Sequence, residues 1–139
     1  MFEIQYATNE DVSVWFTFDN HISENELLLK ISERRCYIVK NNFKPIGVMR
    51  YNLFWDSIPF LTMIYFGESV RGQGYGSQTI LHWENEMRSL GFPCVMTSTQ
   101  TDENVQFFYR KLGYKDAGCL ILDIPAIAQP TEIFFIKEL

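Results

Sequence analysis

The chain has 139 residues, 47% of them hydrophobic and 21% charged, a composition that excludes disordered and fibrous classes. Twelve Lys and Arg against 17 Asp and Glu give a net charge of −5. That balance argues against general nucleic-acid binding, whose affinity comes from neutralising phosphates. The longest apolar region, Ile58 to Phe66, is interrupted by Pro59 and Thr62 and is too short to span a bilayer.

Met1 to Ser13 has no basic stretch followed by an apolar run, so no secretory leader is expected there. Cys36, Cys94 and Cys119 are odd in number and widely spaced, and with His21 and His82 they make no metal-ligand pattern. A reduced cytoplasmic protein with buried thiols and no metal is expected. No linker or repeat divides the sequence, so residues 1–139 read as one domain.

Phe2, Ile4 and Tyr6 alternate with polar residues and predict a strand. Thr8 and Asp11 resemble a capping box ahead of a helix through Val12, Trp15, Phe16 and Phe18. Ser23 to Glu26 is a better one, opening a helix with Leu27, Leu28 and Ile31 on one side that ends near Arg34. Cys36 to Val39 and Ile46 to Leu53 predict a hairpin turning at Asn41 and Asn42. Asp56 and Ser57 turn again into Phe60 to Phe66, whose nearly uncharged run predicts a central strand covered on both faces.

A glycine cluster follows, Arg71-Gly72-Gln73-Gly74-Tyr75-Gly76, and then a helix carrying Ile80, Trp83, Met87 and Leu90, stopped by Gly91 and Pro93. Val95 to Ser98 predicts a strand. Asp102 is the expected cap of a helix with Val105, Phe108, Tyr109 and Leu112 on one stripe, ended by Gly113. Two last strands fit Lys115 to Leu122 and Glu132 to Lys137, joined by an irregular link from Asp123 to Thr131. The order β-α-α-β-β-β-α-β-α-β-β combines an antiparallel meander with crossovers in one sheet.

Strand, glycine loop and helix in succession make an anion site. The first N–H groups of a helix have no intrahelical acceptor, the helix dipole favours negative charge, and glycines let backbone approach phosphate closely. A phosphate-binding P-loop would need Gly-Lys-Ser/Thr, whereas Gly76 is followed by Ser77 and Gln78. The dinucleotide fingerprint G-x-G-x-x-G fails at Ser77 and at Thr79. The pattern R/Q-x-x-G-x-G/A fits fully.

In that position the pattern resembles the GCN5-related N-acetyltransferase (GNAT) family. Phe108-Tyr109-Arg110-Lys111-Leu112-Gly113-Tyr114 is similar to the family's F-Y-x-K-x-G-F/Y segment, and Ile64-Tyr65-Phe66 stands at the family's distance before the loop. The resemblance implies an α/β (α+β) acyltransferase fold, a mixed sheet of about six or seven strands with about four helices. It implies an N-acetyltransferase that uses acetyl-CoA as co-substrate and a small-molecule or peptide amine as acceptor, through a ternary complex. A non-catalytic acyl-CoA-binding module is the alternative.

By the same resemblance, acetyl-CoA lies between the Ile64 and Val95 strands. Ile64, Tyr65 and Phe66 bond its pantetheine arm, and the N–H groups of Gly72, Gln73, Gly74, Tyr75, Gly76 and Ser77 meet its pyrophosphate. Arg71 shapes the loop. Tyr109 stands where the family places the acid that protonates the departing thiolate, and an ordinary tyrosine is still protonated at neutral pH.

The amine must attack unprotonated, and the strands carry no carboxylate to act as base. Glu68 is the first candidate, with Asp56, His21 or water as alternatives. The family's usual Asn on the loop before the acid tyrosine corresponds to Asp102, with Asn104 two residues on. Trp15, Phe18, His21, Tyr51, Phe54 and Trp55 are candidates for the acceptor wall. The apolar strand Ile133 to Ile136 either completes the sheet or pairs with a second subunit, which would make a homodimer.

Overall fold

Backbone turns fix the architecture, which we describe from a computed structural model covering residues 1–139. The chain runs β1 (Phe2–Tyr6), α1 (Val12–Phe18), α2 (Glu24–Ser32), β2 (Cys36–Asn41), β3 (Lys44–Phe54), β4 (Ile58–Phe66), α3 (Tyr75–Ser89), β5 (Cys94–Gln100), α4 (Val105–Lys111), β6 (Lys115–Leu120), β7 (Asp123–Ile124), β8 (Ile127–Ala128) and β9 (Glu132–Glu138). Short 3₁₀ turns precede α1 and follow β4. Four helices accompany a seven-stranded mixed sheet, the α/β architecture expected from the sequence.

The chain forms two compact units, Met1–Asn52 with Leu61–Glu86, and Leu53–Phe60 with Met87–Leu139. In the first, strands follow the order β1-β2-β3-β4. β1 pairs antiparallel with β2 from Phe2↔Asn41 to Tyr6↔Tyr37, and β2 antiparallel with β3. The β2–β3 turn is at Asn42 and Phe43, both with positive φ (50° and 66°), one residue later than the Asn41-Asn42 expectation. Trp55 and Asp56 repeat that conformation (53° and 61°) between β3 and β4. Paired left-handed residues give the twist that flanking strands need.

The caps expected at Thr8 and Ser23 form. The Thr8 N–H donates to Asp11 Oδ2 at 2.8 Å, and Ser23 Oγ accepts from the Glu26 N–H at 3.2 Å. α1 and α2 then bury Trp15 and Leu27 against Ala7, Cys36 and Val48. Leu28, expected on the same side, is exposed, and α2 ends at Ser32. A second cluster joins Val39, Ile46 and Phe66, with Ile64, Val70 and Tyr75 packed on it.

α3 buries Ile80, Trp83 and Met87 as its periodicity requires, and also Thr79 and Glu84, which the apolar pattern did not reveal. It stops one residue short of Leu90, which is 62% exposed. The Gly91 and Phe92 N–H groups close the helix on Arg88 and Met87 carbonyls.

In the second unit the order is β5-β9-β6, all antiparallel. β9 pairs with β5 from Cys94↔Glu138 to Gln100↔Glu132, and with β6 from Lys115↔Ile136 to Leu120↔Glu132. Both of its edges are therefore taken, so it completes the sheet and offers no edge to a second subunit. The segment expected to be irregular contains the small hairpin β7–β8. Two further expectations need correction. β4 is not covered throughout, because Thr62 and Tyr65 are exposed. The thiols are not all buried either: Cys36 is, and burial pushes it up to about 12, but Cys119 lies on exposed β6.

Candidate functional site

The glycine loop is held from behind. Arg71 Nε donates to the Phe66 carbonyl at 2.9 Å, and its guanidinium lies 5.0 Å from the Tyr65 ring centroid. Tyr75 stacks on Phe2 at 5.0 Å and on Phe66 at 6.4 Å, and its hydroxyl accepts from Asn41 Nδ2 at 3.1 Å. The backbone between these anchors runs through Gly72 and Gly74 at φ +77° and +85°, left-handed values that favour glycine.

A side chain at Gly72 would meet nothing within 4 Å, and at Gly74 only Gln78 Nε2 at 3.8 Å. The space beside the loop is therefore open. The Gln78 N–H donates to the Gly74 carbonyl at 3.1 Å, the first turn of the 15-residue α3. N–H groups before it have no intrahelical acceptor, which suits an anion such as a pyrophosphate.

The first unit thus gathers Ile64, Tyr65, Phe66, Arg71, Gly72, Gln73, Gly74, Tyr75, Gly76 and Ser77 into one strand–loop–helix corner. Glu68 lies in the 3₁₀ turn after β4 and is exposed.

A cavity of about 310 Å³ opens between the end of α1 and β4. Phe16, Phe18, Met63 and Tyr65 are its apolar lining, and Thr17, Asn20 and His21 its polar lining. Of the aromatic residues expected at an acceptor wall, Phe18 and His21 are here. Trp15 and Tyr51 are buried in the core, and Trp55 stands 79% exposed at the β3–β4 turn beside Phe54 and Asp56.

Beneath the cavity wall lies a buried ion pair that the sequence reading missed. Arg50 Nε donates to Asp19 Oδ2 at 2.7 Å, their side chains 7% and 0% exposed. Trp15 Nε1 donates to the same oxygen at 3.2 Å, and the His21 N–H to Oδ1 at 3.0 Å. Burial alone would raise the Asp19 carboxyl; the Arg50 bond and charge with the other two donors hold it below the usual range. One signal was available: Arg50 interrupts the apolar run of a central strand, and a buried guanidinium needs a carboxylate partner.

Glu86 on α3 was missed too. It accepts from the hydroxyls of Tyr6 and Tyr37, and burial with this carboxylate pushes the Tyr6 phenol up to about 12.

In the second unit, α4 explains the F-Y-x-K-x-G-Y spacing physically. The Gly113 N–H donates to the Arg110 carbonyl at 3.0 Å and the Tyr114 N–H to the Tyr109 carbonyl at 3.1 Å, with Gly113 at φ +94°. This double bond pattern ends a helix and calls for glycine at the left-handed position and an apolar contact across the end. Tyr114 supplies that contact, edge-on to Tyr109 with centroids 5.7 Å apart.

Tyr109 is 4% exposed, packed also on Phe108 and Phe135, and its hydroxyl bonds the Thr97 side chain on β5. Burial pushes its phenol upward, so it stays protonated. Asp102 does not cap α4. The cap position is Asn104, itself without a side-chain bond to the helix, and Asp102 sits exposed in the preceding turn. The helix begins later than the capping residue suggested because Gln106 Nε2 instead bonds the Thr101 and Glu103 carbonyls, organising that turn.

The chain belongs to the acetyltransferase (GNAT) family, whose model matches residues 4–114. No curated protein matches it. Among solved structures, it is similar to a GNAT family acetyltransferase from Bacillus cereus at 25% identity and TM-score 0.77, covering 99% of this chain and 97% of that one. A GNAT family acetyltransferase from Elizabethkingia anophelis with acetyl-CoA bound is 16% identical at TM-score 0.78, covering 99% and 98%. The Escherichia coli ribosomal-protein-S18-alanine N-acetyltransferase is 16% identical at TM-score 0.80, covering 99% and 94%. No helix is long and apolar enough to cross a membrane.

Proposed function

We propose that this acetyltransferase-family protein moves the acetyl group of acetyl-CoA to a primary amine of a small molecule or peptide, by direct attack in a ternary complex. The observation that carries the reading is the glycine loop: positive φ at Gly72 and Gly74, open space beside both, and the start of α3 behind them. These residues fit a pyrophosphate.

Bound acetyl-CoA supplies an activated thioester. The N–H groups of Gly72 to Ser77 hold its pyrophosphate, and Ile64, Tyr65 and Phe66 pair with its pantetheine arm. Arg71 braces the loop through Phe66 and Tyr65. Tyr109, kept protonated by burial, gives its proton to the departing thiolate. Asp102 and Asn104, in the turn and at the cap before α4, are the polar side chains of that segment offered to the coenzyme in this reading. Glu68 or a water it orients takes the proton of the attacking amine, with His21 and Asp56 the other candidates.

A second reading is a non-catalytic acyl-CoA-binding module. It is favoured by the position of Glu68, the first candidate base, which stands exposed in the turn after β4. Release of CoA thiol, measured with acetyl-CoA and a panel of amines, decides between them. Thiol release that depends on an amine supports transfer. Tight acetyl-CoA binding in calorimetry with no release from any amine supports the binding module.

A further inference from the structure

We infer that the acceptor is a primary monoamine on an uncharged apolar body, seated in the cavity between α1 and β4. The inference rests on the acetyltransferase reading above and adds the class of substrate. The cavity, about 310 Å³, is at the small end of ligand pockets, the size for a small molecule rather than a protein surface. It is next to the coenzyme corner: Tyr65 lines it and belongs to the strand end that leads into the glycine loop.

Its lining decides the chemistry. Phe16, Phe18, Met63 and Tyr65 offer apolar and aromatic surface, and Thr17, Asn20 and His21 offer hydrogen bonds; none is a carboxylate. The one acid in the wall segment is Asp19, and it faces away. Its side chain is fully buried, and its oxygens are occupied by Arg50, Trp15 and the His21 N–H.

The Arg71 guanidinium lies over the ring of Tyr65, one of the lining residues. A second cationic group on the acceptor would lose its water and find no counter-ion, whereas an aryl or alkyl body would bury apolar surface. The same surroundings disfavour the ammonium form of the reacting amine, so the lining itself helps to keep the nucleophile neutral and asks less of the base.

The experiment compares kcat/KM for 2-phenylethylamine, spermidine and an alanine-terminated tripeptide at saturating acetyl-CoA, in the native protein and in Thr17→Glu. Thr17 is exposed at the cavity wall, so the new carboxylate adds charge without disturbing the core. Thr17→Gln controls for size.

The native protein should prefer 2-phenylethylamine to spermidine by at least about 10-fold. Thr17→Glu should erode that preference by about 2- to 5-fold, while Thr17→Gln keeps it and acetyl-CoA affinity stays constant in calorimetry. Preference for spermidine or the tripeptide in the native protein overturns the inference and leaves the acetyltransferase reading standing. So does a selectivity that Thr17→Glu leaves unmoved. Absence of thiol release from every amine, with acetyl-CoA bound, overturns the acetyltransferase reading and this inference with it.

Discussion

The ring of Phe66 presses directly against the backbone of Gly47. A methyl group at position 47 would lie 2.4 Å from Phe66 Cδ1 and 2.7 Å from Cε1, closer than carbon atoms can pack. Phe66 is also the last residue of β4, and its carbonyl holds Arg71. The contact therefore ties a glycine on β3 to the posture of the glycine loop.

Gly47→Ala should accordingly destabilise the protein by about 1–3 kcal/mol, the usual cost of overfilling a packed site. Acetyl-CoA affinity should fall with it, because the displaced ring stacks on Tyr75 and belongs to the residue whose carbonyl anchors Arg71. Urea melts and calorimetry measure the two effects. An unchanged midpoint would mean that the ring swings aside freely and that the contact has no structural role.

Gly74→Asp and Gly76→Asp should each abolish acetyl-CoA binding with secondary structure retained. Either carboxylate places like charge at the proposed pyrophosphate site. Gly74 has φ +85°, so its variant also carries backbone strain, whereas Gly76 lies in the first turn of α3 without positive φ. Comparing them separates charge from strain. Native affinity in both would remove the loop from the coenzyme site.

Asp19→Asn should cost about 3–5 kcal/mol at neutral pH, the penalty for stranding a buried guanidinium. The folded carboxyl is held below its unfolded value, so the stability it contributes is present above about pH 4 and is lost as pH falls through the folded value. The stability gap between the native protein and Asp19→Asn should therefore narrow in acid. Urea melts from neutral pH down to acid test the sign; a constant gap would show that the pair does not titrate as a unit with folding.

Much of this was legible in the sequence. Periodicity located the helices and main strands because their buried faces are apolar, and the two glycine-bearing segments were visible because left-handed backbone restricts residue type. Asp19, Glu84 and Glu86 were not legible. Asp19 and Glu86 meet Arg50, Tyr6 and Tyr37 from far away in sequence, Glu84 is buried, and hydropathy treats every charge as exposed. The misplaced cap at Asp102 arose because Asp102 and Asn104 are equally good capping residues two positions apart, and a capping preference does not choose between them.

Tyr109→Phe should leave the fold intact and remove one hydroxyl. Losing the bond to buried Thr97 should cost about 1 kcal/mol or slightly more. If Tyr109 is the acid, kcat should fall roughly 10- to 1000-fold, about 1.4–4 kcal/mol of barrier, with acetyl-CoA affinity nearly constant. Because burial pushes its phenol upward, the native pH–rate profile should show no loss from Tyr109 below about pH 10. Full turnover in Tyr109→Phe, with an amine for which chemistry limits the rate, would reduce Tyr109 to a packing residue.

The position of β9 also has a consequence for biosynthesis. Residues 132–138 form the middle strand between β5 and β6, yet they leave the ribosome after both. Until then β5 and β6 have no partner in their own three-stranded set, while β1, β2 and β3 have all emerged and can already pair. The first unit can therefore begin to fold during synthesis, but the second must wait, with the edges of β5 and β6 open to chaperones or to other nascent chains.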